Sequence, residues 1–123
     1  IMSKAKREKN YEAVSEAKLR NARMPARKAR LVCDLIRGKR VGDALGLLKL
    51  THKPSACPDV LNLLKSARTN AESKGVSSPD DLVVGTVFVD GGAMMKRMRA
   101  APMGRGVRVR KRTCHITIRL NEI

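Results

Sequence analysis

Two runs of β-branched residues near the C-terminus are separated by a segment without any acidic residue, and this arrangement most constrains the fold. The runs are residues 82–89 and 107–120, and residues 91–106 between them contain four Gly and four Met. Such runs predict strands, so the pair predicts a hairpin projecting about 30 Å from its domain. Because an isolated two-stranded ribbon is marginal in water, this basic one needs an external anionic surface to hold it.

The two predicted strands differ in their apolar pattern. Residues 82–89 are apolar at odd and even positions, which predicts a strand buried on both faces. In residues 107–120 the apolar positions are odd at the start, as at Val107, and even from Cys114 onward. Since side chains alternate strictly along a strand, this change of phase predicts a bulge or the point where the strand leaves the domain.

The first two thirds of the chain predict one strand and three helices. Residues 13–19 alternate small and polar side chains, as a short strand does. Helices are predicted for residues 25–37, 41–50 and 58–75, with a turn at 77–81. The apolar stripes of the three helices are Ala29, Val32, Cys33 and Ile36; Val41, Ala44, Leu45 and Leu48; and Val60, Leu64, Ala67 and Ala71. Pro25 suits the first position of its helix, and Gly38 ends that helix.

The charge predicts a polyanionic partner. The chain has 27 Lys and Arg against 11 Asp and Glu, a net charge of +16, with +9 in residues 1–50, −1 in 51–90 and +8 in 91–123. Such a charge repels itself in a compact state, which favours RNA or DNA over an acidic membrane or protein. Only Tyr11 and Phe88 are aromatic. Stacking on single strands is therefore disfavoured, and recognition of folded RNA through phosphate, ribose and shape is favoured.

The cysteines and histidines predict no catalytic or metal centre. Cys33, Cys57 and Cys114 are far apart and odd in number, which favours free, buried thiols in a reducing compartment. Cys114 and its neighbour His115 point to opposite faces of their strand, and His52 has no partner at metal-ligand spacing. Paired carboxylates, a phosphate loop and a serine elbow are also missing from the sequence, so we expect neither enzyme activity nor a cofactor. A small hydrolase using Cys114 or His115 is the alternative.

Several runs of residues together resemble one protein family. They are Ala29-Arg-Leu-Val-Cys-Asp-Leu-Ile-Arg-Gly-Lys39 with Val41 and Ala44-Leu45, Leu64-Lys-Ser-Ala67 with Asn70-Ala-Glu72, Val89-Asp90, Lys96-Arg97, Gly104-Arg105, and Lys111-Arg-Thr-Cys-His-Ile-Thr117. They are similar, in order and spacing, to the universal large-subunit ribosomal protein family numbered twenty-two in bacteria and seventeen in eukaryotes. The resemblance extends over about residues 13–120.

The resemblance implies a fold and a place in the ribosome. The fold would be α+β, with three helices packed on a small three-stranded sheet and a long protruding β-hairpin. The domain would lie near the opening of the polypeptide exit tunnel and the hairpin would line the tunnel wall. The partners would be large-subunit ribosomal RNA from several domains, neighbouring large-subunit ribosomal proteins and, transiently, the nascent peptide. The protein would support early subunit assembly in the cytoplasm, and neither a membrane nor a homo-oligomer is expected.

The hairpin departs from the family at two places. Ala100-Ala-Pro-Met103 replaces the usual Pro-Arg-Ala before the Gly-Arg of the tip, and Gly91-Gly-Ala93 replaces Glu-Gly-Pro where the hairpin begins. The turn at the tip therefore does not follow from the resemblance. The tip expected to line the tunnel is Met98, Arg99, Ala100, Ala101, Pro102, Met103 and Gly104. Its methionines could contact the nascent chain or fill gaps against RNA.

The expected organisation is a flexible basic arm at residues 1–12, a globular domain at 13–90 and 112–123, and the hairpin at 91–111. The residues expected to bind RNA are Arg27, Lys28, Arg30, Arg37, Lys39, Arg40, Lys96, Arg97, Arg99, Arg105, Arg108, Arg110, Lys111, Arg112 and His115. No metal ligand is expected. A helix-turn-helix DNA-binding protein is the alternative function, since two helices meet at Gly38, but residues 41–50 offer no side chain suited to reading bases.

Overall fold

A computed structural model describes residues 13–122, and the predicted N-terminal arm lies outside these residues. The elements are β1 (Ser15–Ala22), α1 (Ala26–Ile36), α2 (Val41–Leu50), α3 (Cys57–Ser73), β2 (Val83–Ala100) and β3 (Gly106–Asn121). Short 3-10 turns, Pro79–Asp81 and Pro102–Gly104, precede and follow β2. The α+β fold with three helices and a three-stranded sheet is confirmed.

The sheet has the order β1-β3-β2, and both pairs of strands are antiparallel. Ala17, Ile118 and Val87 lie side by side in one row of the ladder, and all three are buried. The even positions of β3 from Cys114 to Leu120 are fully buried on this face. The helices cover the same face, so the core is a single layer between helices and sheet.

The helices follow their apolar stripes. In α1 the buried residues are Ala29, Val32, Cys33 and Ile36, as predicted. Gly38 takes a φ of 79°, the left-handed conformation that ends a helix at little cost for glycine. Pro25 was expected at the first helical position, but it precedes the helix with extended backbone, and its carbonyl accepts the first hydrogen bonds of α1.

Two strand predictions need correction. β1 continues to Ala22, three residues beyond the predicted end, because its pairing with β3 continues past a bulge at residues 20–21. The strand at residues 82–89 is not buried on both faces: Val84, Val87 and Val89 are buried, whereas Phe88 on the other face is only half-buried. The sequence does not reveal that buried and exposed faces alternate in this strand, because both faces carry apolar side chains.

The change of phase in β3 coincides with bulges in its two neighbours, not in β3 itself. Gly92 and Ala93 of β2 lie opposite Thr113 alone, and residues 20–21 of β1 lie opposite His115 alone. An extra residue in one strand bends it and increases its twist. The long strands therefore change direction at residues 113–115, where they leave the domain.

The outer edge of β2 is closed by α1 and the residues that follow it. The amide of Gly38 donates to the Val84 carbonyl, and the Val84 amide donates to the Lys39 carbonyl, both at 2.9 Å. Farther along the edge, Arg37 donates to the Val87 carbonyl at 2.8 Å and Arg30 to the Val89 carbonyl at 2.9 Å. These contacts fix β2 against α1 and the residues that follow it as far as Val89.

Candidate nucleic-acid interface

Beyond the bulge at residues 92–93, the strands of the hairpin are paired from Met94 and Arg112 as far as Ala100 and Gly106. Directly paired residues share a face of an antiparallel ladder. One face carries the pairs Met94–Arg112, Lys96–Arg110, Met98–Arg108 and Ala100–Gly106, and the other carries Met95–Lys111, Arg97–Val109 and Arg99–Val107. Both faces are therefore basic, and each mixes cations with apolar side chains.

Lys96 and Arg110 are directly opposite each other, and like charges in this position destabilise a ladder. No carboxylate in residues 13–122 offsets them. The ion pairs within this range join Lys18 and Arg119 to Glu16, Arg37 to Asp34, and Arg68 to Glu72 and Asp80. All are in the domain, so the cations of the hairpin remain available to an external anion.

The tip of the hairpin is a tight turn with exposed apolar side chains. The Ala101 amide donates to the Arg105 carbonyl at 2.8 Å and closes the turn. Met103 and Gly104 take positive φ angles of 66° and 69°, which is costly for a methionine. The side chain of Met103 is 94% exposed and that of Met98 is 73% exposed. The predicted tip residues thus form one contiguous, solvent-facing end.

The hairpin leaves the domain through a close contact at Gly92. A Cβ at this position would lie 2.6 Å from Oγ1 of Thr113 and 3.1 Å from the His115 ring. Thr113 also donates from Oγ1 to the Ala93 carbonyl at 2.5 Å. The local packing therefore requires Gly92, the one residue of Gly91-Gly-Ala93 that agrees with the Glu-Gly-Pro of the family, whereas Gly91, which replaces Glu, has open space around it.

The predicted cations of α1 divide into two groups. Arg27 and Lys28 in the first turn are exposed, and within residues 13–122 neither makes a side-chain hydrogen bond or ion pair. Arg30 and Arg37 already bind carbonyls of β2. Lys39 and Arg40 are also exposed. They lie just after the helix, in the segment whose backbone pairs with β2. Arg30 and Arg37 therefore have a structural role that the sequence did not indicate.

A groove of about 620 Å³ lies where the chain turns from β1 into α1 beside the hairpin. Its floor is apolar and consists of Met24, Pro25, Met95 and Val109. Six cations surround this floor: Arg23, Lys28, Arg97, Arg110, Lys111 and Arg112. We call it the junction groove. Arg23 was not among the predicted site residues, because only the turn after Ala22 brings it next to the hairpin.

The outer face of the sheet is less suited to a polyanion than the hairpin. Glu16 pairs with Lys18 at 3.2 Å and with Arg119 at 3.4 Å. Its pKa is lowered by the hydrogen bond from Lys18 and by the charges of both cations. Arg119 also lies over the Phe88 ring, 5.4 Å from its centre. The cations of this face are thus partly neutralised within the chain.

His115 lies on this outer face, and its ring is fixed by one contact. The Asn21 amide donates to Nδ1 at 3.0 Å, and Asn21 takes a positive φ of 58° at the bulge. The other ring nitrogen, Nε2, is available as a donor and lies beside Gly92. Cys114, its neighbour, is fully buried on the opposite face, in agreement with the predicted alternation.

The three cysteines are free and buried, as predicted. Burial raises the pKa of the Cys33 thiol to about 12 and also raises that of Cys114. A thiol nucleophile reacts as the thiolate, so raised values disfavour the hydrolase alternative. No group of three or more His, Cys, Asp or Glu side chains in residues 13–122 is arranged to hold a metal ion.

The helix-turn-helix alternative places α2 in a DNA groove, and its exposed side does not fit. The exposed residues of α2 are Gly42, Asp43, Gly46, Lys49 and Leu50. Asp43, in the first turn, would face DNA with a negative charge, and residues that read bases with two hydrogen bonds, such as Arg, Asn and Gln, are missing from this side.

None of the helices in the described part of the chain is long and apolar enough to span a bilayer.

Comparison with known proteins agrees with this architecture. Residues 17–121 match the family model described as ribosomal protein L22p/L17e. The chain is 50% identical over 108 residues to the large ribosomal subunit protein uL22 of Citrifermentans bemidjiense, covering 88% of this chain and 96% of that protein. It is 46% identical over 119 residues to uL22 of Bacteroides fragilis, covering 95% and 87%. The chain belongs to the ribosomal protein L22p/L17e family.

Proposed function

We propose that the chain is a structural, non-catalytic component of the large ribosomal subunit in the cytoplasm, where it binds the ribosomal RNA. Family membership supports the subunit, since the relatives compared above are named as large ribosomal subunit proteins. The observation that carries RNA binding is the pair Lys96–Arg110, two cations held face to face without a carboxylate partner in residues 13–122. A nearby polyanion turns this repulsion into favourable contacts, and RNA supplies phosphates along both faces.

The proposed mechanism is neutralisation combined with bridging. The exposed cations of α1 bind RNA at the domain, and the hairpin carries a second set of cations to RNA segments farther away. Segments that repel each other are thereby held together by one protein, because β2 and β3 run continuously from the core into the hairpin. The domain at residues 13–90 and 112–123 serves as the base and residues 91–111 as the arm. This bridging also accounts for a role in early assembly.

The family resemblance supports a proposed position within the subunit. The domain lies near the opening of the exit tunnel, beside neighbouring ribosomal proteins, and the hairpin tip forms part of the tunnel wall. Its exposed Met98 and Met103 offer polarizable, uncharged contacts to a passing nascent peptide. Tunnel placement is tested by site-specific cross-linking from position 103 to stalled nascent chains, which predicts adducts that depend on chain length.

Sedimentation of cell extract tests the central part of the proposal. We expect the full-length protein to co-sediment with large subunits at physiological salt and to remain bound in moderately raised salt. A variant with Lys96, Arg108 and Arg110 changed to Gln is expected to dissociate at lower salt, because each lost phosphate contact removes the favourable release of counterions. The slope of log K against log salt should also become less steep by roughly 0.7–0.9 for each contact. Recovery of the unaltered protein in free fractions at low salt would contradict the proposal.

A further inference from the structure

The junction groove exists because β1 and β3 differ in length. β1 ends at Ala22, opposite Cys114, while β3 continues to Gly106. Beyond Cys114 the edge of β3 that faced β1 has no neighbouring strand within residues 13–122. The chain turns away there into α1, and the space between this turn and the hairpin is the groove. A second concavity, of about 550 Å³ and lined by Arg27, Met94 and Arg110 among others, lies nearby.

The floor of the groove shelters two apolar side chains of the hairpin. Met95 and Val109 are diagonal neighbours on one face of the ladder, and both are half-buried. Chemically matched residues nearer the tip are more exposed: Met98 is 73% exposed and Val107 50%. Met24 and Pro25, from the turn between β1 and α1, line the groove together with these two side chains. The groove is therefore apolar below and basic around its rim.

The rim carries cations from both the domain and the hairpin. Arg23 and Lys28 approach from the domain side, and Arg97 and Lys111 from the hairpin. No acidic residue lines the groove. Arg97 is paired directly with Val109 and lines the groove, and its Nη1 donates to the Lys96 carbonyl at 2.9 Å. Guanidinium planes stack on nucleobases much as aromatic rings do. Arginine can therefore take this role in a chain that has only two aromatic residues.

An RNA duplex uses only half of such a site. Its phosphates would satisfy the cations, but its base faces stay stacked on each other and cannot reach an apolar floor. An unpaired nucleotide uses both parts, because its base exposes two apolar faces and its phosphate lies at the edge. A volume of about 620 Å³ falls within the range of sites that enclose small ligands.

We propose that the junction groove holds one unpaired nucleotide of the ribosomal RNA, with its base against Met95 and Val109 and its phosphate among the surrounding cations. This inference rests on the proposed RNA-binding function and specifies a ligand for one site within it. The base contributes affinity that does not depend on salt, whereas the cations contribute affinity that does.

Chemical probing of large-subunit RNA with the purified full-length protein tests the inference. We expect the protein to protect the base of one single-stranded nucleotide from base-specific reagents. The double variant Met95→Ala/Val109→Ala removes the floor without changing charge. It is expected to lose that protection and about ten-fold in affinity, with the salt dependence of binding unchanged. The control double variant Met98→Ala/Val107→Ala, which removes the same residue types outside the groove, is expected to keep the protection.

The remaining outcomes distinguish a failure of this inference from a failure of the proposed RNA-binding function. Val109→Thr keeps the shape and strand propensity of valine, so a loss of protection in this variant cannot be attributed to misfolding. If both double variants bind and protect like the unaltered protein, the groove binds phosphates only and the inference is wrong. Equal losses in the floor and control variants would also contradict it, because the effect would belong to the whole hairpin. Failure of the unaltered protein to bind RNA would instead contradict the proposed function.

Discussion

Lys96 and Arg110 lie directly opposite each other in the hairpin, a cross-strand pair of like charge without a compensating carboxylate in residues 13–122. A pair of this kind destabilises an isolated ladder by an amount on the order of 0.2–1 kcal/mol. Natural sequences commonly place opposite charges at such positions. In the proposed function the phosphates of RNA offset this repulsion, so the pair favours binding over the stability of the free hairpin.

Reversing one charge of this pair separates the two effects. Lys96→Glu creates an attractive pair with Arg110 and should increase amide protection of the hairpin in the free protein. The same change removes a phosphate contact and adds repulsion, so RNA affinity should fall about ten-fold or more at physiological salt. Binding measurements and hydrogen exchange on one preparation check both effects. Lys96→Gln is the control that removes charge without creating a pair, and a Glu variant with unchanged affinity would contradict the role of Lys96.

Removing the hairpin should leave a folded domain. Met95 and Lys111 are paired, so Asn-Gly in place of residues 96–110 closes β2 and β3 with a two-residue turn. The buried core lies entirely within residues 17–120 outside this deletion. We expect the midpoint of thermal unfolding to change by only a few degrees, about the effect of 0.5 kcal/mol in a domain of this size. RNA binding should weaken and become less dependent on salt, whereas an unfolded product would contradict the division into domain and arm.

Gly92 and Gly91 form a matched pair for testing the packing where the hairpin leaves the domain. Gly92→Ala places a methyl group against Thr113 and His115 and should lower the free energy of unfolding by about 1–3 kcal/mol. Gly91→Ala meets no atom within 4 Å and should have little effect. Denaturant unfolding of both variants measures the difference. Equal stabilities would show that the bulge at residues 92–93 adapts to a side chain.

The hydrogen bonds from Arg30 and Arg37 to β2 predict an effect on stability that does not require RNA. Replacing Arg37 with Gln removes the contact with the Val87 carbonyl and should cost about 1 kcal/mol of unfolding free energy. Arg27→Gln serves as the control, because this exposed side chain makes no such contact in the described residues. It should leave stability unchanged and weaken RNA binding. A loss of stability in Arg27→Gln but not in Arg37→Gln would contradict the structural role of Arg37 and the RNA-binding role of Arg27.

Raised thiol pKa values predict how stability depends on alkaline pH. The pKa of Cys33 is about 12 in the folded protein against an ordinary value of 9.0. The folded state therefore holds the thiol proton more tightly than the unfolded state does. The resulting contribution of Cys33 to the free energy of unfolding is complete below pH 9 and is lost as the pH rises towards about 12. The expected slope is at most about 1.4 kcal/mol per pH unit. Chemical unfolding at several pH values should show a smaller slope for Cys33→Ala, and identical slopes would contradict the raised pKa.

Much of the fold was predictable because its signals are local. Helical spacing gave the buried stripe of α1, and the acid-free segment gave the hairpin. What could not be predicted depends on pairing between distant strands: the bulges opposite Thr113 and His115 leave no mark in β3 itself, where the change of phase was noticed. The half-exposed Phe88 was misjudged because apolar residues occupy both faces of β2.

The same distinction applies to the candidate site. The basic hairpin and the exposed first turn of α1 were predictable from charge. The contact of Arg30 with the Val89 carbonyl and the place of Arg23 in the junction groove depend on how α1 packs beside β2 and β3. The sequence shows which side chains are cationic. Only the tertiary structure shows which of these side chains already bind groups of the same chain.

Amide hydrogen exchange of residues 94–110 in the free and RNA-bound protein tests most directly whether RNA holds the hairpin in place. We predict rapid exchange of these amides in the free protein, while the buried part of β3 from Cys114 to Leu120 is strongly protected. Addition of large-subunit RNA should slow exchange along the whole hairpin. Protection of residues 94–110 in the free protein equal to that of the core, unchanged by RNA, would contradict the account.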